Sequence, residues 1–124
     1  GASTTSPTDK TIFDPCPAGW RVPAWSGKVS PWSRIGSDGT QTSHVGKFAN
    51  YGVTWTAITA GYWPVAGIRE SSDGSLYNAG FTGIYWSASP NNYYGNYLSI
   101  SSSYVYPSGC RNRADGFSVR CVKE

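Results

Sequence analysis

The sequence predicts an α+β domain that is mostly β and irregular. Three observations carry this: 15 Gly and 8 Pro are scattered through 124 residues, strong helix formers are scarce, and turn residues separate short runs of β-branched and aromatic side chains. A chain of this length supports a single core, burying roughly two thirds of the surface it exposes when unfolded. Aromatics reach 15%, six of them Trp, and Met is absent. The core therefore leans on flat rings with polar edges.

Residues 1–12 are polar and read as a disordered leader or remnant, which leaves 13–124 as the folded domain. "DPCPAGWRVP" (14–23) is a turn-rich entry to a short strand in which Trp20 and Val22 share a face and Pro23 ends the run. "SPWSRIG" (30–36) has Ser30 as an N-cap, Pro31 at the first helical position and Gly36 as a stop, so it predicts one helical turn. "SHVGKFANYG" (43–52) is a second short helix candidate, weakened by Gly46. "GVTWTAIT" (52–59) and "IYWSAS" (84–89) read as strands. In "GIRESSDGSLYNAG" (67–80), two extended runs flank Asp73-Gly74, which supplies the positive φ of a tight hairpin turn. "GFSVRCV" (116–122) alternates, with Phe117, Val119 and Cys121 on one face, and predicts a core strand. The candidate core is Trp20, Trp55, Trp63, Trp86, Phe117 and Val119.

Three cysteines leave one over. A Cys16–Cys121 bridge would pair the first and last strands and close a loop of about 100 residues, which loop-closure entropy credits with roughly 4 to 5 kcal/mol. The alternative is three buried thiols in a reducing compartment.

The net charge of +3 is dispersed, without the basic stripe that tracks a phosphate backbone, so nucleic acid is not an expected partner. No apolar run approaches the roughly 20 residues that span a bilayer, and no direct membrane insertion is expected. His44 is the single histidine and has no nucleophile and acid arranged around it. Asp14, Asp38, Asp73 and Asp115 are far apart in sequence, and Asp73 is explained by its turn. The expectation is no catalytic residue, no metal and no cofactor.

"NNYYGNYLSISSSYVYPSGCRN" (91–112) is different in kind: no acid, one base, and mostly Asn, Tyr, Ser and Gly. Leu98 and Ile100 are two apart and would face the core, with Tyr97, Ser99 and Ser101 on the opposite face; Val105 and Pro107 repeat the pattern. Antibody-like paratopes use the same residues, because Tyr gives wide amphipathic contact at low entropic cost and Ser, Gly and Asn adapt around it. From Asn91 to Phe117 there is also no Lys, Glu, Gln, Met or Trp. Codons ending in a pyrimidine cannot encode those amino acids, whereas Tyr, Ser, Gly, Cys, Asp and Arg all arise from an Asn codon by changing adenines.

"DPCPAGWRVP", "WPVAGIRESSDGSLYNAG", "GIYWSAS" and "GFSVRCVK" resemble the fibrobacter-type major paralogous domains of Bacteroidales surface proteins, which are similar to the C-type lectin fold. The segment 91–115 further resembles the variable region of ligand-binding proteins diversified by retroelements. The resemblance implies a C-type lectin-like fold with short helices and paired terminal strands. It implies a non-enzymatic adhesin or receptor-binding domain, on a cell surface or phage particle, that binds a protein or glycan on another cell or surface. It makes Leu98, Val105, Pro107 and Arg113 framework, and Cys110 an exposed thiol left by diversification. The displayed positions it implies are Asn91, Asn92, Tyr93, Tyr94, Asn96, Tyr97, Ser99, Ser101, Tyr104, Tyr106, Ser108, Asn112 and Asp115. Two rival expectations are a structural pilus-tip or spacer module, docked permanently through its Tyr-rich face, and a carbohydrate-binding accessory module.

Overall fold

The computed structural model describes residues 10–24, 42–43, 46–55 and 61–123. In these the strands are β1 (Trp20–Arg21), β2 (Thr42–Ser43), β3 (Gly46–Phe48), β4 (Gly52–Trp55), β5 (Tyr62–Pro64), β6 (Ile68–Arg69), β7 (Leu76–Tyr77), β8 (Thr82–Asn91), β9 (Tyr94–Ser101), β10 (Tyr104–Asn112) and β11 (Val122–Lys123). The long strands β8, β9 and β10 form an antiparallel meander with β2 on its β10 edge, and β3, β4 and β5 form a second antiparallel sheet. Among the described residues the domain is mostly β and contains no helix.

The core lies between these two sheets. In the meander, Tyr85 stands opposite Leu98 and Val105 opposite Ile100, so one face carries all four. Val53, Trp63 and Val65 cover that face, and Trp63 meets Tyr85 edge-on with centroids 4.8 Å apart. Each fully buried aliphatic side chain here stabilises the fold by about 1.5–3 kcal/mol. The Tyr85 hydroxyl donates to the Pro64 carbonyl, and burial pushes its pKa up to about 12. An unfolded chain loses that proton near pH 10, so stability falls as pH rises through the window between the two values. An absorbance titration of the tyrosines is expected to show one phenol that ionises only as the alkaline unfolding transition proceeds.

The termini meet at one end. β1 and β11 pair antiparallel, Trp20 opposite Lys123, and Cys16 is bonded to Cys121 with Cα atoms 5.8 Å apart. Lys10 donates to the carbonyls of Cys16, Pro17 and Trp20 and so ties down the turn between them. The docked chain thus begins before the expected start at residue 13. The 67–80 hairpin forms as its sequence implies: β6 pairs β7, Gly74 has φ 72°, and Asp73 Oδ1 accepts from Ser75 N at 2.9 Å.

Several expectations change. Within 43–52 the described residues form no helix: β2 ends at Ser43 and β3 (Gly46–Phe48) pairs along β4 with Phe48 opposite Val53, so long-range pairing overrides a weak helical pattern already broken by Gly46. Trp20 and Val119 are exposed; the β1–β11 ladder that carries Trp20 is only two residue pairs long. The 116–122 run is not one strand. Ser118 hydrogen-bonds along β8, accepting from Trp86 N and donating to Ile84 O, and the chain then leaves to reach β1. Of the predicted core side chains that are described, only Trp63 is fully buried; Trp86 and Phe117 are half-buried. The helical turn at 30–36, Asp38, His44, residues 1–9 and 56–59, and the side chain of Trp55 lie outside the described residues.

Candidate functional site

The second face of the meander and its hairpin tip form the candidate site. Alternation puts Tyr97 opposite Trp86, and Ser99 opposite Ile84 and Tyr106, on the side away from the core. Phe117 lies over that side, stacked on Trp86 at 4.1 Å and edge-on to Tyr97 at 5.4 Å. Tyr97 in turn covers Gly109, where a Cβ would fall 2.1 Å from the ring. A strip of half-buried rings, Phe117, Trp86, Tyr97 and Tyr106, therefore crosses the sheet, with Tyr104 beside it. Burial raises the Tyr97 pKa, opposed by the nearby Arg111 guanidinium, so this phenol stays a neutral donor and acceptor.

At the tip, Asn91 pairs with Tyr94 and leaves Asn92 and Tyr93 as the two-residue turn. Asn92 takes φ 51°, a left-handed conformation that Asn adopts more readily than most residues. Tyr93 is 90% exposed and Tyr94 51%. Arg113 holds the tip from beneath, Nε donating to Tyr94 O at 3.1 Å and Nη2 to Asn92 O at 2.5 Å.

Of the expected display positions, Asn92, Tyr93, Tyr94 and Asn112 are exposed, and Tyr97, Tyr104 and Tyr106 are half-exposed. Asn112 also accepts from Ala114 N through Oδ1 at 3.1 Å. Four are corrected, because Asn96, Ser99, Ser101 and Asp115 are buried. Asn96 stands on the Leu98 face opposite the bulge between Trp86 and Pro90, where its Nδ2 has no hydrogen-bond partner among the described residues. Ser99 lies under the strip and bonds Tyr104 Oη at 3.3 Å. Ser101 Oγ accepts from Ser103 N and Tyr104 N, both at 3.2 Å, and so shapes the β9–β10 turn. Asp115 accepts from Ser71 N at 2.9 Å and pairs with Arg111 Nε at 2.9 Å, while Arg111 Nη2 reaches Glu70 at 3.2 Å. These bonds lock the β6–β7 hairpin to the end of β10. The opposite charges of Arg111 and Asp115, four residues apart, are the sequence signal of this pair. The side chains of Asn91, Pro107 and Ser108 lie outside the described ones.

Cys110 is exposed and unpaired. Among the described residues, no three His, Cys, Asp or Glu side chains converge on a metal position. The chain matches no protein-family model, no curated protein and no solved structure.

Proposed function

We propose that this is a non-enzymatic, extracellular ligand-binding domain with a C-type lectin-like fold. The outer face of its meander, residues 91–115, is diversified to grip a protein or glycan on another cell or surface. The observation that carries the reading is the pair of exposed phenols, Tyr93 and Tyr94, at a tip whose fold is fixed from elsewhere. Leu98, Ile100 and Val105 pin the strands from the opposite face, and Arg113 grips the tip by main-chain oxygens. Two exposed Tyr beside a strip of half-exposed rings are the residue types that dominate binding hot spots.

The side chains divide by their cost to the fold. Tyr93→Ser with Tyr94→Ser is expected to abolish ligand binding and change stability by less than about 0.5 kcal/mol, as surface substitutions do. Tyr97→Ser is expected to cost about 2 kcal/mol, because it strips a half-buried ring from Phe117 and Gly109. Urea unfolding of the variants checks both values. Sequencing the DNA around the gene tests the diversification itself. The reading expects a near-copy of the segment encoding 91–115, differing mainly at adenines and lying close to a reverse transcriptase gene; a locus without such a copy overturns it.

A further inference from the structure

We propose that Gly109 and Gly95 set the posture of the aromatic strip: the residues at these two positions decide whether its rings lie down against the sheet or stand out from it toward a ligand. The inference rests on the ligand-binding reading of this face and names what determines its shape. Glycine is not demanded there by the main chain. Neither residue has the positive φ that suits Gly74 to its turn, and inside a strand glycine weakens the element because it packs nothing. A ring lies on each of them instead. A Cβ at Gly109 would fall 2.1 Å from Tyr97 Cε2 and 2.2 Å from Cζ, and one at Gly95 would fall 2.6 Å from Trp86 Cζ3. Carbon atoms in contact stand about 3.5–4.0 Å apart, so neither ring keeps its place once a methyl group is added beneath it.

The two glycines act on different rings. Tyr97 faces Gly109 directly across the β9–β10 ladder. Side chains move between staggered wells, so its displaced phenol turns about the χ1 bond by roughly 120° and leaves the sheet. It then gives up the edge-on contact with Phe117 at 5.4 Å, and the burial that raises its pKa goes with it. Trp86 reaches Gly95 across the bulge between Trp86 and Pro90. It is stacked on Phe117 at 4.1 Å, so a side chain at 95 moves both of those rings together.

Both positions lie within 91–115, and an Asn codon reaches Gly, and equally Ser or Asp, by changes at its adenines. A change at 109 therefore alters the reach of Tyr97 without touching the codon of Tyr97. Rings lying down offer a broad, shallow surface, whereas a ring standing out is an anchor that needs a pocket in the partner. Gly109 is itself buried and acts through Tyr97, as a positioning residue.

The test is NMR of the full chain without ligand, on the parent, Gly109→Ala and Gly95→Ala. In the parent, the Hα protons of both glycines are expected upfield, shielded by the rings above them, and Tyr97 is expected to show Overhauser contacts to Phe117. Gly109→Ala is expected to lose those contacts while keeping the ones between Trp86 and Phe117, and to be nitrated at Tyr97 by tetranitromethane faster than the parent. Gly95→Ala is expected to displace Trp86 and Phe117 together. A double-mutant cycle isolates the ring: Gly109→Ala lowers the urea midpoint of the parent and leaves that of Tyr97→Ala unchanged. The proposal is overturned if Tyr97 keeps its contacts while the amides of residues 106–109 shift, because the neighbouring bulge then yields in place of the ring. It is also overturned if both alanine variants displace the same rings, if Gly109→Ala costs as much without Tyr97 as with it, or if Gly109→Ala unfolds the chain, since a change of posture requires a second folded position for the ring. No ligand enters these measurements, so their failure leaves the ligand-binding reading standing, and a locus without a near-copy of the segment leaves the ring positions as measured.

Discussion

Replacing Cys16 and Cys121 together by Ser is expected to cost the native state about 4 to 5 kcal/mol. The bridge spans 105 residues, so nearly the whole chain regains its freedom in the unfolded state when it is cut. Little else replaces it locally. β1 and β11 share two residue pairs, Trp20 is exposed on that ladder, and the three carbonyls gathered by Lys10 organise only the turn itself. Domains of this size hold about 5–15 kcal/mol in total, so the loss removes about a quarter or more of the stability. Urea unfolding of the double variant beside the oxidised parent measures it. A cost under about 1 kcal/mol would mean that the Ser118 contacts with β8 hold the terminus unaided.

Asp115→Ala is expected to cost about 2–3 kcal/mol. Breaking a buried ion pair by removing one partner typically costs 3–5 kcal/mol, but Arg111 is partly solvated and keeps Glu70, which lowers the figure. The Ser71 N–H then loses its acceptor, and the β6–β7 hairpin loses its tie to β10. The same substitution at a freely displayed position would move stability by less than about 0.5 kcal/mol. Denaturant midpoints therefore separate the two roles, and a near-neutral Asp115→Ala would return this residue to the display set.

The contrast shows where the sequence is readable. Local chemistry is legible: Asp73-Gly74 marks a hairpin because few residue pairs accept that turn, and the alternation of Leu98, Ile100 and Val105 marks the core face. Long-range cover is not. Ser99 and Ser101 read as outward because strand parity gives direction, and parity says nothing about the Tyr104 hydroxyl that meets Ser99 or the main-chain N–H groups of the β9–β10 turn that bond Ser101. Asn96 counts as displayed only through the resemblance, whereas strand parity already sets it with Leu98 on the inward face, where it is buried. Phe117 and Trp86 read as core because they are large rings, yet they stack on the outer face, since size alone does not say which face a ring covers. For the same reason the 43–52 segment reads as helical without the β4 partner that makes Gly46–Phe48 a strand.

The grip of Arg113 on the hairpin tip has one further consequence. The guanidinium touches only the main-chain oxygens of Asn92 and Tyr94, which every amino acid carries. Such a clasp is blind to which side chain rides above it, so a substitution at Asn92 or Tyr94 leaves the loop in the same posture.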